Sequence, residues 1–253
     1  MPRPTLRLIK GDKRIEAVGV KNRELNVTDQ LIETAHEQSK WHQTIFGYIV
    51  KKGSPSCGME RVKVYMDEHP SDKSSGLYTL TLMQSFPNLP VNEEERLGDL
   101  VLRENFIQRV FIYKRWGDLI ASGIDKAGLI QFHSQHKLIL FSHNQNLARG
   151  LGKELGQHNR DVTVYADQYL SQLMKILKIT ATTGNHVNVL EHIRGYLKHN
   201  MDKDDKLELS ESIENYRLGL LPLIVPITLL KHHFRKHPRL VYRSVILYAT
   251  PSC

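Results

Sequence analysis

Cysteine is scarce in this sequence, because only Cys57 and Cys253 occur among its 253 residues. Two cysteines exclude a disulfide framework and favour a reducing compartment. The longest apolar run, residues 218–230, contains two prolines and is shorter than the ~20 residues that a membrane-spanning helix needs. The first 15 residues are basic and lack the apolar stretch of a secretion signal. These absences predict a cytoplasmic protein without a membrane partner.

Two classes of motif are also missing. The sequence contains no Walker loop, no dinucleotide-binding glycine motif and no Gly-x-Ser-x-Gly turn that would present a serine nucleophile. A nucleotide-binding protein and a serine hydrolase are therefore disfavoured. The formal net charge of +8 permits an anionic partner, although an excess of this size also serves solubility alone.

The hydrophobic pattern changes near residue 123. Short β-like runs and helical stretches precede it, and only helical periodicity follows. This pattern predicts an α/β domain over residues 1–122, with an incomplete, mostly parallel sheet, and an all-α helical bundle over residues 123–253. The predicted strands lie at 6–9, 15–20, 44–50 and 61–65. The predicted helices lie at 26–41, 76–86, 104–116, 126–142, 145–157, 162–180, 185–199, 204–220 and 222–237.

Three segments of the first half carry more specific expectations. Residues 44–50 form a continuous apolar, β-branched and aromatic run, which is typical of a strand buried on both faces. Residues 69–75 and 88–98 are rich in Pro, Ser, Asp and Glu, so they are predicted to be surface loops.

A cysteine-containing loop, KKGSPSCG, follows the predicted strand at 44–50 and occupies residues 51–58. Ligands of α/β sheets gather beyond the carboxyl ends of strands, so this loop is a candidate site. Lys51 and Lys52 would favour a thiolate at Cys57, which makes the sulfur a better nucleophile or metal ligand. The alternative is a small buried cysteine that only stabilises a tight turn.

At this loop the sequence resembles the thiouracil desulfidase family of bacterial proteins. The matching segments are YIVKKGSPSCG at 48–58, VKVY at 62–65 and RENFIQRVFIYKRW at 103–116. The resemblance covers about residues 1–120. It implies a small thiolated nucleobase or related thioamide as the substrate, and removal of its sulfur without redox change.

The resemblance also implies a [4Fe-4S] cluster held by three cysteines, of which Cys57 matches one. The two N-terminal cysteine segments of the family have no counterpart, so this chain as given cannot ligate the cluster fully. Three explanations stay open: a wrongly assigned start, a fragment, or a shortened homologue that has lost the cluster. If the missing segment is present, desulfidase activity is expected. Ser54 and Ser56 would then donate hydrogen bonds to sulfide or substrate, unless they only satisfy their own turn.

The second half resembles the YbgA-like domain over about residues 125–250. The matching segments are LIQFHSQHKLILFSH at 129–143, NVLEHIRGYLK at 188–198 and YRLGLLPLIVPITLLKHH at 216–233. This resemblance implies a helical domain that often follows a desulfidase-like one, and it implies no particular chemistry.

Histidines are concentrated in the helical half. His133, His136 and His143 share one face of a predicted helix and could bind a metal, but their apolar neighbours favour hydrogen-bonded core or rim residues. A second stripe is interpreted as a helix-packing face rather than a ligand site, and it consists of Asn188, His192 and Gly195.

A basic cluster ends the last predicted helix. Residues 231–243 hold five fixed positive charges and no acidic residue. Cations at this position complement the helix dipole, but their density also favours a phosphorylated ligand or RNA. The candidate anion-binding residues are Lys231, Arg235, Lys236 and Arg239. A non-catalytic helical module that binds such an anionic partner is therefore the alternative to a desulfidase.

Overall fold

The computed structural model describes residues 4–157 and 161–237. The chain divides into two compact units, Met1–Lys114 and Arg115–Cys253, and the division falls inside one long helix. The domain boundaries expected from the sequence, 1–122 and 123–253, stay a prediction. Among the helices of the described residues, none is long and apolar enough to cross a membrane.

The described strands all belong to the first unit. In chain order they are β1 (Leu6–Lys10), β2 (Ile15–Gly19), β3 (Tyr48–Val50), β4 (Val62–Met66), β5 (His69–Ser74) and β6 (Val91–Glu93). Four of them form one sheet in the order β2-β1-β4-β5, and β3 pairs separately with β6.

The four-stranded sheet is mixed, which corrects the expectation of a mostly parallel sheet. β1 pairs with β4 in parallel, but β1–β2 and β4–β5 are antiparallel. Only a few residues link the strands of each antiparallel pair, and a link this short allows only an antiparallel return. The shorter β3–β6 pair is parallel. The α/β class predicted for this half is confirmed.

The segment 44–50 is a strand only over its last three residues. It is not buried on both faces, because Ile49 is 53% exposed while Val50 is buried. Successive strand residues point to opposite sides, so one side of β3 packs inward and the other faces water. Thr44 lies in a turn instead, and its N–H donates to the carbonyl of Trp41 at 2.9 Å.

The two segments predicted as surface loops each contain a strand. Residues 69–74 form β5, an exposed edge strand paired with β4. Polar side chains are common on an edge strand. The polar composition of residues 69–74 therefore resembles that of a loop, and the strand was not predicted from the sequence. Residues 91–93 form β6 and are buried, because Leu89 and Val91 pack in a core cluster with Val50.

Four helices complete the described part of the first unit and lead into the second. They are α1 (Thr28–Glu37), α2 (Ser39–His42), α3 (Leu77–Ser85) and α4 (Leu100–Ala121), and a 3-10 turn at Glu95–Gly98 precedes α4. One core cluster joins Leu8 of β1, Val64 of β4 and Leu77 of α3. This packing places the beginning of α3 against the sheet.

The second unit is helical throughout its described residues, as predicted. Its helices after α4 are α5 (Lys126–His143), α6 (Gln145–Gln157), α7 (Val162–Lys178), α8 (Thr183–Leu197), α9 (Lys203–Arg217) and α10 (Ile224–Lys236). Asn144 and Asp202 cap the helices that follow them, since each side chain accepts a backbone N–H of the first turn.

Candidate active site

The cysteine loop, residues 51–58, lies between the end of β3 and the beginning of α3. The carbonyl of Ser56 accepts a hydrogen bond from the N–H of Tyr78 at 2.9 Å. The hydroxyl of Thr79 donates to the carbonyl of Cys57 at 3.0 Å. Because α3 has no side-chain cap, loop carbonyls satisfy the first N–H groups of this helix. The position of Cys57 is therefore tied to α3.

Cys57 is half-buried, and the hydroxyl of Ser54 lies beside its thiol. Cys57 Sγ is 3.3 Å from Ser54 Oγ, which is 3.0 Å from Ser56 Oγ. The N–H of Cys57 also donates to Ser54 Oγ at 3.3 Å. The structure thus brings together the three site residues predicted in this loop. The hydroxyl of Ser54 can rotate its proton toward the sulfur when the sulfur carries negative charge.

Two glutamates at the end of β6 hold the loop in place. Glu93 is buried, and its Oε1 accepts the N–H of Met59 at 3.0 Å. Glu94 Oε2 accepts the N–H of Lys52 at 2.8 Å. Sequence reasoning missed both residues because their segment was predicted to be a surface loop. The apolar residues Leu89 and Val91, which precede them in the sequence, could have indicated that this segment is buried.

The two lysines of the loop each pair with an acidic residue that follows β6. Lys51 Nζ lies 3.1 Å from Glu94 Oε1, and Lys52 pairs with Glu95. The acidic residues that follow β6 thus attract the ammonium groups that were expected to favour a thiolate at Cys57. All four of these charged side chains are exposed, so the two ion pairs contribute little to stability.

Gly76 packs directly on the backbone of the cysteine loop. A Cβ at this position would lie 2.5 Å from the carbonyl carbon of Ser56 and 2.6 Å from the nitrogen of Cys57. Backbone atoms cannot rotate away as a side chain can, so only glycine allows this approach. The N–H of Gly76 also donates to the carbonyl of Gly58 at 2.8 Å.

A buried histidine contacts the first turn of α3. His42 Nε2 lies 2.8 Å from Tyr78 Oη. Burial lowers the pKa of His42. Burial also raises the pKa of Tyr78, and a hydrogen bond to Tyr48 and the charge of Cys57 add to the rise. Both rings are therefore neutral near pH 7. No motif in the sequence marked His42.

The chain was compared with known proteins. Residues 1–94 match the family model described as 2-thiouracil desulfurase. Residues 137–249 match the model of DUF1722, described as a protein of unknown function. The two halves match two different families. Both resemblances drawn from sequence motifs are thus confirmed, over shorter ranges than expected.

The YbgA-like half also has a curated relative. Over 132 residues the chain is 29% identical to "Uncharacterized protein YbgA" of Escherichia coli (strain K12). The aligned part covers 51% of this chain and 78% of that protein. No solved structure matches the chain.

The desulfurase-like half does not fit the iron–sulfur cluster that its family resemblance implies. Such clusters are held mainly by cysteine thiolates, and residues 1–94 contain Cys57 alone. Among the described residues, no group of three or more His, Cys, Asp or Glu side chains is placed to hold a metal ion. Cys57 is therefore a single candidate ligand, and Cys253 lies outside the described residues.

Three of the four residues predicted to bind an anion lie exposed on α10. These are Lys231, Arg235 and Lys236, and Arg239 lies outside the described residues. Arg235 and Lys236 line a groove of about 870 Å³ between α9 and α10. The same groove is lined by three carboxylates of α9, those of Asp205, Glu208 and Glu211. These carboxylates reduce the attraction of the groove for an anion. Binding of RNA or a phosphorylated ligand to the basic residues of α10 stays a prediction.

The three histidines predicted on one face of α5 each bond a different partner. His133 Nδ1 lies 3.0 Å from Tyr169 Oη. His136 Nδ1 donates to the carbonyl of Phe132 at 2.7 Å. His143 donates to a backbone carbonyl just after α7. These contacts agree with hydrogen-bonded core histidines, which was the favoured interpretation.

The stripe predicted as a packing face of α8 is exposed instead. A Cβ on Gly195 would meet nothing within 4 Å, and His192 bonds its own helix neighbour Tyr196. The buried face of α8 consists of Leu190, Ile193 and Leu197. Apolar side chains at helical spacing outweigh a single glycine in deciding which face packs.

Two histidines of the second unit, the buried His136 and the half-buried His186, predict that its stability depends on pH. Burial lowers the pKa of His136 and of His186 to about 4, whereas an unfolded chain protonates histidine near pH ~6.5. Between these values the unfolded state binds more protons. Stability is therefore full above pH ~6.5 and falls, as the pH is lowered toward 4, by about 1 kcal/mol per pH unit for each histidine.

Urea unfolding at pH 7 and pH 5 measures this fall. His186→Gln removes one of the histidines of the second unit whose pKa burial lowers, so the loss of unfolding free energy between the two pH values should become smaller. The exposed His199 provides the matched control, and His199→Gln should leave the loss unchanged. An equal loss in the His186 variant and the parent would contradict the assignment.

Proposed function

We propose that the first unit binds a thiolated nucleobase or related thioamide and takes part in removing its sulfur, with Cys57 as the residue that contacts the sulfur. One observation carries this proposal. The half-buried thiol of Cys57 lies 3.3 Å from the hydroxyl of Ser54 in the loop after β3, inside the region that matches the 2-thiouracil desulfurase model.

The proposed reaction exchanges a C=S bond for a C=O bond. Water supplies the oxygen atom and two protons, and the sulfur leaves as hydrogen sulfide, so no oxidant or reductant is consumed. Negative charge develops on the departing sulfur, and hydrogen-bond donors held beside that charge lower the barrier. Two contacts support this role for Ser54 and Ser56, because Ser54 Oγ contacts Cys57 Sγ and Ser56 Oγ contacts Ser54 Oγ.

Product formation from 2-thiouracil tests the proposal. The protein is prepared without oxygen, and uracil is measured chromatographically both as isolated and after ferrous iron and sulfide are supplied. Cys57→Ala should reduce uracil formation to the background rate, because the contact with the sulfur is lost. Ser54→Ala should reduce it about tenfold or more, because one donor to the developing charge is removed.

Cys253→Ala, which removes the other cysteine of the chain, is the matched control and should keep the parent rate. Uracil formation that is absent under both conditions would overturn the proposed activity. A Cys57→Ala variant as active as its parent would overturn the role of the thiol.

A further inference from the structure

The groove between α9 and α10 lies along one stripe of side chains from each helix. The stripe of α9 consists of Asp205, Glu208, Ser212 and Asn215, and that of α10 consists of Val225, Leu229, His232 and Lys236. Within each stripe the residues are three or four positions apart, so they share one face of their helix. Only residues 218–223 connect the two helices, and helices joined by so short a segment are antiparallel neighbours. The groove therefore has a charged end near Lys236 and an apolar end near Val225.

Buried polar atoms without hydrogen-bond partners line this groove. His233 of α10 is 1% exposed, and neither of its ring nitrogens has a hydrogen-bond partner among the described residues. Asp205 Oδ2 lies 3.8 Å from His233 Nδ1, which is too far for a hydrogen bond. The hydroxyl of Ser212, which is 6% exposed, also lacks a hydrogen-bond partner in the described part of the chain. Because buried polar groups are almost always hydrogen-bonded in native proteins, these atoms indicate a polar ligand in the groove.

Charges of both signs line the groove without pairing with one another. Glu208 and Glu211 lie on the α9 side, and Arg235 and Lys236 lie on the α10 side. In the part of the chain that the structure describes, no ion pair joins either glutamate to either cation. A purely anionic ligand is repelled by the glutamates, and a purely cationic ligand is repelled by Arg235 and Lys236. A ligand that carries one group of each sign complements both sides of the groove.

The remaining surface of the groove is also complementary to such a ligand. Burial lowers the pKa of the His233 imidazole, so this ring is neutral at pH 7. A neutral imidazole has one acceptor nitrogen, which suits an ammonium group, and one N–H donor, which suits a carboxylate. Leu221, Ile224 and Val225 at the apolar end suit an aliphatic or aromatic side chain. The groove thus holds partners for an ammonium group, a carboxylate and an apolar side chain.

We propose that the groove binds an α-amino acid with an apolar side chain, either free or in a short peptide. Glu208 and His233 accept hydrogen bonds from its ammonium group, and Arg235 binds its carboxylate through paired N–H groups. Leu229 continues the apolar surface from the charged end toward Val225, and the side chain of the ligand lies along it. The site belongs to the second unit, whose family model describes no function, and it is independent of the function proposed for the first unit.

Calorimetric titration of the intact chain with L-phenylalanine and three analogues tests this ligand class. N-acetylphenylalanine lacks the ammonium group, phenylalaninamide lacks the carboxylate, and glycine lacks the apolar side chain. Each analogue should bind about tenfold more weakly than phenylalanine, because one part of the groove loses its partner. If N-acetylphenylalanine or phenylalaninamide binds as tightly as phenylalanine, the groove recognises a single charge and the proposal is wrong.

The dipeptide phenylalanylphenylalanine is titrated beside the free amino acid. The α9 stripe from Asp205 to Asn215 spans about 15 Å, which exceeds the length of one amino acid. Tighter binding of the dipeptide would identify a peptide as the ligand, and tighter binding of phenylalanine would identify a free amino acid. Either result supports the proposed chemistry, whereas the absence of binding for both molecules would overturn it.

Substitution of the exposed charged residues locates the site. Glu208→Gln and Arg235→Gln should each weaken phenylalanine binding about fivefold. Glu208→Gln should leave the binding of N-acetylphenylalanine unchanged, because that analogue lacks the ammonium group that Glu208 contacts. The matched controls are Asp204→Asn and Lys231→Gln, which change exposed residues of the same helices outside the groove. Losses in the controls as large as those in the groove variants would mean that general surface charge attracts the ligand.

His233→Phe keeps a ring at the buried position but removes both nitrogens. Phenylalanine binding should fall about tenfold or more, because the acceptor for the ammonium group is lost. The unfolding temperature, followed by circular dichroism, should stay equal or rise, because a buried polar group without a partner is destabilising. A variant that binds phenylalanine like its parent would overturn the role of His233. A variant that unfolds well below its parent would show that the imidazole serves the fold and not a ligand.

Discussion

Replacing Tyr169 with alanine is expected to lower the free energy of unfolding of the second unit by about 3–5 kcal/mol. Tyr169 is 0% exposed, and its ring stacks on that of Trp116 with centroids 5.6 Å apart. The ring also contacts Tyr165 and Phe132, and its hydroxyl lies 3.0 Å from His133 Nδ1. The substitution leaves a large cavity and removes the partner of the half-buried His133.

Urea unfolding of the intact chain measures the effect, and two variants separate its causes. Tyr169→Phe removes only the hydroxyl and should cost about 1 kcal/mol. Val164→Ala, on the same helix at a position 70% exposed, should change the unfolding free energy by less than about 0.5 kcal/mol. A Tyr169→Ala variant that is as stable as the Val164→Ala variant would show that this aromatic core does not support the second unit.

Gly76→Ala is expected to displace the cysteine loop and to abolish any activity that depends on it. The added Cβ would lie within 2.6 Å of backbone atoms of Ser56 and Cys57. Either the loop or the first turn of α3 must therefore move. Relief of an overlap of this kind costs about 1–3 kcal/mol of stability. It also separates the thiol from the groups that surround it.

Two measurements detect the displacement of the cysteine loop. In a Cys253→Ala background, the rate at which a thiol reagent modifies Cys57 should rise, and uracil formation from 2-thiouracil should be lost. Gly98→Ala is the matched control, because a Cβ on Gly98 meets nothing within 4 Å. An unchanged modification rate in the Gly76 variant would mean that the loop does not depend on its contact with α3.

The helices of the second unit were predictable because their signals are local. Apolar residues recur at helical spacing, and side chains such as Asp202 cap the first turn without help from distant parts of the chain. The strands β5 and β6 were not predictable in this way. β5 is polar because it lies at an edge, and β6 is buried although two of its three residues are polar. Both depend on partners that lie elsewhere in the sequence.

The residues of the candidate site also divide into those that a local motif predicted and those that only the folded chain brings to the site. Ser54, Ser56 and Cys57 were predicted together because they lie in one short loop and form one recognisable motif. Gly76, Glu93 and His42 were not assigned to the site, because each reaches it from a separate segment. The ion-pair partners of the lysines beside Cys57 were not predicted for a related reason, since Glu94 and Glu95 are about 40 residues away along the chain.

The amino-acid order alone thus determined the class of each half, the helices of the second and the resemblance of the loop at Cys57 to a sulfur-handling family. These properties depend on periodicity, capping and motif, which act between residues a few positions apart. Tertiary structure decided the pairing directions of the strands, the partners of the loop lysines and the contact between His42 and Tyr78. Those features arise from contacts between distant segments, and only the packing of the folded chain selects among the many contacts that the same residues would allow.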